Sequence, residues 1–89
     1  MNNKRRKEIN QVLVGLEKIN ELVSLLKNQV DTIKDDEQEY FDNMPENLQN
    51  SDKYENSESA IDGLENALSS LEDVESALND TISYLSDIE

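Results

Sequence analysis

YFDNMPENLQNSDKYE, residues 40–55, separates two long heptad-patterned runs and holds the chain's only Pro, its only Phe and two of its three Tyr. Pro lacks a backbone donor and breaks helices, whereas Asn, Ser and Asp cap them. The stretch therefore reads as the bend of a helical hairpin. Asn43-Met44-Pro45-Glu46 has the form of a capping box, with Glu46 placed to return to the Asn43 amide, and predicts a short helical turn over 45–49. Ser51 or Asp52 is placed to cap the next helix, with Glu55 closing a second box on Asp52.

Upstream of the bend, Ile9, Val12, Leu16, Ile19, Val23, Leu26, Val30 and Ile33 alternate at spacings of three and four, followed by Glu37 and Tyr40. That spacing keeps one seam facing a partner helix. Downstream, the chain divides into sevens from Ala60: AIDGLEN, ALSSLED, VESALND, TISYLSD. Its seam is Tyr54, Ser57, Ile61, Leu64, Leu68, Leu71, Glu75, Leu78, Ile82 and Leu85, with Glu75 the one acid. Matched in antiparallel order, Ile9 meets Leu85, Ile19 meets Glu75, Glu37 meets Ser57 and Tyr40 meets Tyr54, the numbers of every such pair adding to 94. The midpoint, residue 47, lies inside the bend. Two heptads and the position of the Pro thus agree on one fold. It is all-α, a single antiparallel coiled-coil hairpin over 1–89, with helices over 3–40 and 52–88 and the bend at 41–51. In this register Lys4, Arg5, Arg6 and Lys7 lie beside Asp87 and Glu89.

A second stripe runs along the downstream helix: Ala60, Gly63, Ala67, Ser70, Val74, Ala77, Thr81, Tyr84 and Ile88. Most of these are small and permit close helix approach. On the first helix Val14, Leu22 and Leu25 are apolar off the main seam, and Gly15 costs about 1 kcal/mol against Ala unless a neighbour needs the space. A hairpin alone leaves these residues wet. The expectation is self-association as a homodimer, two hairpins forming a four-helix bundle, through Val14, Leu22, Leu25, Ala60, Gly63, Ala67, Val74, Ala77 and Tyr84.

Eighty-nine residues allow one small core, which makes a partner surface useful. The net charge of −13 is unevenly placed: residues 1–34 carry seven bases against four acids, +3, and residues 35–89 carry Lys53 against seventeen acids, −16. Low hydropathy with high charge is a signature of disorder, which the strict periodicity opposes. With no Cys, disulfides and thiolate sites are excluded; with no His, the commonest general base and metal ligand is missing. The run after the basic cluster is too short and too interrupted for a signal peptide, and no stretch approaches the ~20 apolar residues of a membrane span. The expectation is a cytoplasmic protein with no membrane partner. Four clustered bases without interleaved aromatics, on an otherwise acidic chain, also exclude direct nucleic-acid binding.

Tyr40, Phe41, Met44, Pro45, Leu48 and Tyr54 gather at the bend, either as an apolar plug or as a protein-binding tip, since loops carry function. The segment FDNMPENLQNSDKYE and the AIDGLENAL heptads after it, roughly 36–71, resemble a pattern in small acidic proteins of Gram-positive bacteria and their phages. The resemblance implies a mobile-element setting, with the host cytoplasm as location, and brings no activity, cofactor or residue role.

Catalytic, cofactor and metal sites are not expected. A narrow hairpin offers no pocket for paired carboxylates, di-iron bundles need Glu-x-x-His, and Asp31, Asp35, Asp36, Glu37, Glu39 and Asp42 lack the spacing and turn glycine of a calcium loop. The chain reads as a non-enzymatic protein–protein interaction module, an adaptor or inhibitor. An acidic DNA mimic with a basic protein partner is the alternative, and a structural assembly component a third reading. Against mimicry, the second helix carries one net charge per roughly 5–6 Å, compared with 3.4 Å along a DNA strand.

Overall fold

In a computed structural model, which describes residues 1–88, two long helices lie antiparallel. Helix α1 spans Asn3–Asp42, one 3₁₀ turn spans Glu46–Leu48, and helix α2 spans Asp52–Ser86; among the described residues there is no strand. The molecule measures 70 × 15 × 14 Å, a helical hairpin. Forty residues at 1.5 Å each give α1 about 60 Å of that length.

Each helix starts on a side-chain cap. Asn2 accepts from the Arg5 amide at 2.9 Å, and the Ser51 hydroxyl oxygen accepts from the Tyr54 amide at 3.4 Å. Ser51 also donates to the Leu48 carbonyl, so one residue ties the bend to α2. The capping box expected at Asn43–Glu46 does not form. Helix α1 continues to Asp42, and Asn43 becomes its C-cap, its amide donating to the Glu39 carbonyl while the Met44 amide donates to that of Phe41. Pro45 (φ −60°, ψ 149°) and Ser51 (φ −91°, ψ 168°) are extended and bracket the 3₁₀ turn. The reversal uses no positive-φ residue among those described.

On α2 the contact line toward α1 is the expected one. Tyr54, Leu64, Leu68, Leu71, Glu75, Leu78, Ile82 and Leu85 are half-buried, and Ser57 and Ile61 are buried. On α1 the expectation is corrected at every second position. Ile9, Leu16, Val23, Val30 and Glu37 face α2, but Leu13, Asn20, Lys27, Lys34 and Phe41 take the places assigned to Val12, Ile19, Leu26, Ile33 and Tyr40. Those five are 43–54% exposed. Helix α1 is thus rotated by about 50°, half the angle between successive residues.

The reason lies in the hydrogen bonds along one edge of the contact. Glu75 accepts from Ser24 Oγ and Lys27 Nζ, both at 2.8 Å, and Asn20 Nδ2 donates to Asn79 Oδ1 at 3.3 Å. An acid on the contact line needs donors, and the rotation brings them in while turning Ile19 and Leu26 out. Ile19 therefore does not meet Glu75. Side chains lean toward their own helix N-terminus, so across antiparallel helices they reach past the level residue, and Glu75 meets Ser24 and Lys27 instead. Nearer the bend the expected layer holds, with Ser57 Oγ donating to Glu37 Oε1 at 2.7 Å.

The basic cluster forms no ion pair with Asp87; Glu89 lies outside the described residues. The ion pairs among the described residues are Lys27–Glu75 and Lys34–Asp31. An exposed pair at a helix end contributes about 0–1 kcal/mol, too little to hold long side chains in one place.

Candidate interaction surface

The rotation leaves α1 with an open stripe. Val12, Ile19, Leu26 and Ile33 recur every seven residues, interleaved with Gly15 and Leu22 at the neighbouring heptad position. Leu22 is 55% exposed, and a Cβ built on Gly15 or Gly63 would meet nothing within 4 Å. On α2 and just past its end, the stripe of Ala60, Gly63, Ala67, Ser70, Val74, Ala77, Thr81, Tyr84 and Ile88 is exposed throughout. None of the nine is charged, in a chain that is 33% charged. The Thr81 hydroxyl donates to the Ala77 carbonyl at 2.8 Å, which satisfies it within the helix and leaves its methyl outward.

These two stripes share one side of the hairpin. Each lies about 100° around its helix from the line of contact, in the same rotational sense when viewed from that helix's own N-terminus. Reversing one helix, as the hairpin does, brings both to the same face. That face is apolar. The opposite edge of the contact is the polar one, closed by Asn20, Asn79, Ser24, Lys27 and Glu75. There the Lys27 hydrogen bond, then that from Ser24, holds the Glu75 carboxyl below its ordinary value, and Glu75 in turn raises Lys27; desolvation opposes both shifts. Asn20 Oδ1 is buried on this edge without a partner.

Of the residues expected at the self-association surface, Leu22, Ala60, Gly63, Ala67, Val74, Ala77 and Tyr84 lie on the open face, and Leu25, 61% exposed, on its rim. Val14 is turned away, beyond Leu25 on the outer side of α1. Sequence reasoning missed Val12, Ile19, Leu26 and Ile33 here because it assigned them to the hairpin seam. Gly15, singled out as a place of close approach, borders this face, and no other part of the hairpin comes within 4 Å of a Cβ built there.

The bend residues separate into two groups. Met44 is buried, and Phe41, Leu48 and Tyr54 are half-buried, with the Phe41 and Tyr54 rings 4.6 Å apart at 31°. Tyr40, 51% exposed, and Pro45 point to solvent beside a shallow concavity of about 430 Å³ that Asp36 and Glu39 also line. The four inner side chains seal the end of the hairpin, leaving Tyr40 and Pro45 as the accessible tip.

Among the described residues no three acidic side chains converge as a metal site, and no helix is long and apolar enough to cross a membrane. No known protein family, curated protein or solved structure matches the chain.

Proposed function

We propose that this protein is a non-enzymatic protein–protein interaction module whose hairpin pairs with a second copy through its open apolar face, giving a four-helix bundle. The observation that carries this reading is the placement of the Val12–Ile33 heptad and the Ala60–Ile88 stripe on one face. In a four-helix bundle each helix points its apolar arc between two neighbours, about 45° away from either contact line. The rotation of α1 has that size and sense. A face 70 Å long and 15 Å wide offers on the order of 1,000 Å² per copy, above the roughly 800 Å² per partner of a stable interface. The chain also exposes 6697 Å², where a compact monomer of this mass exposes about 5,300 Å².

Sedimentation at low and high salt tests this reading. A dimer mass that persists at high salt supports an apolar interface, and a monomer at every concentration refutes it. The resemblance of the bend segment to small acidic proteins of Gram-positive bacteria and their phages supports a mobile-element setting for the assembled bundle, whose role we take to be that of an accessory adaptor or inhibitor.

The placement of the acids favours a second reading. On α2, Glu55, Glu58, Asp62, Glu65, Glu72 and Asp73 are exposed and lie off the open face, so pairing concentrates carboxylates on the outside. A DNA mimic built this way binds a basic protein groove, with affinity that falls steeply as salt rises.

A further inference from the structure

The bundle can close with the two bends together or at opposite ends, and we infer that they lie at opposite ends, related by a two-fold axis that crosses α1 beside Leu22. This rests on the pairing proposed above and adds its geometry. Two observations carry it.

The first is charge. Residues 31–58, around the bend, carry ten acids against Lys34 and Lys53, net −8. At the open end, residues 1–8 carry four bases against Glu8, net +3, and residues 80–88 carry Asp80 and Asp87, −2, so that end is close to neutral. Bends together place −8 against −8. Bends apart place each acidic bend against the near-neutral end of the other copy, with the basic start of α1 nearest the partner's α1. Among the described residues Lys4, Arg5, Arg6 and Lys7 form no ion pair.

The second is self-complementarity. The midpoint of α1, Asn3–Asp42, falls between Leu22 and Val23, so two fully overlapping hairpins related by such an axis bring Leu22 to Leu22 of the second copy. Read outward from Leu22, the open stripe then matches itself to within one residue: Ile19 lies level with Leu25 and next to Leu26, Gly15 level with Gln29, Val12 level with Thr32 and next to Ile33, Arg5 level with Glu39 and Lys4 level with Tyr40. The apolar pairs are central and the charged ones terminal, the order of an isologous interface. Lys4 over the exposed Tyr40 ring adds a cation–π contact. Along α1, Glu8 level with Asp36 is the one like-charged pair, and Lys4 and Arg5 lie within a turn of Glu8. On α2 the same axis sets Ala67 against Ala77, Gly63 against Thr81 and Ala60 against Tyr84. Small residues thus face small ones, and the most exposed aromatic, Tyr84 at 73%, faces an alanine.

The chain has no Cys, so single substitutions report the arrangement cleanly. Under mild oxidation Leu22→Cys is expected to form a disulfide-linked dimer, and Asn47→Cys, on the exposed 3₁₀ turn, is expected to form none. A linked Asn47→Cys with an unlinked Leu22→Cys means bends together, which overturns the arrangement and leaves the bundle standing. A sedimenting dimer in which neither variant links also overturns it, because Leu22 is then off the axis. If Leu22→Cys fails to fold, spin labels on Asn47→Cys decide alone. A separation near the 70 Å length of the hairpin supports bends apart. A separation within about two helix diameters, some 20 Å, overturns it. A monomer by sedimentation removes the bundle and the arrangement together.

Discussion

Glu75 is the one acid on the contact line of α2, and its bonds to Lys27 and Ser24 account for the rotation of α1. A carboxyl held below its ordinary value stabilises the fold above the unfolded pKa, and that contribution is lost as pH falls through the lower, folded value. With an ordinary value of 4.5, the window begins there and extends downward. Glu75→Gln is therefore expected to melt below wild type at pH 7, with the gap closing as pH is lowered from 4.5. Thermal unfolding followed by circular dichroism across that range checks it. A gap independent of pH would assign the loss to shape rather than charge. Glu75 was legible as the exception in its heptad, but not its partners. They lie on α1 at positions that the apolar pattern excludes from the seam, and only the lean of side chains along antiparallel helices brings them within reach.

At the scale of elements, the helix starts follow local chemistry: a short polar side chain ahead of an apolar heptad is what an N-cap requires, which left Ser51 or Asp52 at the head of α2, and the fold uses Ser51. Its hydroxyl serves both the Tyr54 amide and the Leu48 carbonyl. Ser51→Ala is expected to cost about 1 kcal/mol, read as a lower urea midpoint with helix content unchanged. The Asn43 box failed for a reason of the same kind. Asn serves equally at a helix end, and α1 reached it first, so the residue capped the helix behind it rather than the turn ahead. The apolar bend residues were legible as a cluster, but the cluster did not say that Tyr40 would face out while Phe41 stacked on Tyr54. One step along a helix turns a side chain by about 100°. Which of two neighbours enters is set by the partner helix.

For the whole molecule, the open face makes a distinct prediction. Leu26→Glu places a charge in the middle of that face, where the residue is already 43% exposed. The hairpin is expected to keep its helix content, while self-association weakens at least tenfold, the equivalent of about 1.4 kcal/mol. Analytical ultracentrifugation over a concentration series measures this. Leu68→Glu, on the α2 contact line, is the contrasting variant and is expected to unfold the hairpin itself. Equal effects of the two on folding would mean that Leu26 supports the hairpin rather than a partner.

Taken by itself, the sequence determined that this chain is two antiparallel helices turning near residue 47, because 3-4 spacing and capping chemistry are local and repeat along the chain. It also determined the contact line of α2, where one apolar seam is flanked by small or charged residues and has a single best orientation. Only the tertiary structure decided the rotation of α1. Ile9–Val30 and Val12–Ile33 form one apolar arc wider than a single neighbour covers, and periodicity alone ranks every part of such an arc equally. The hydrogen-bonding needs of Glu75 broke the tie, turned Asn20 and Lys27 inward, and left Val12, Ile19, Leu26 and Ile33 on the open face.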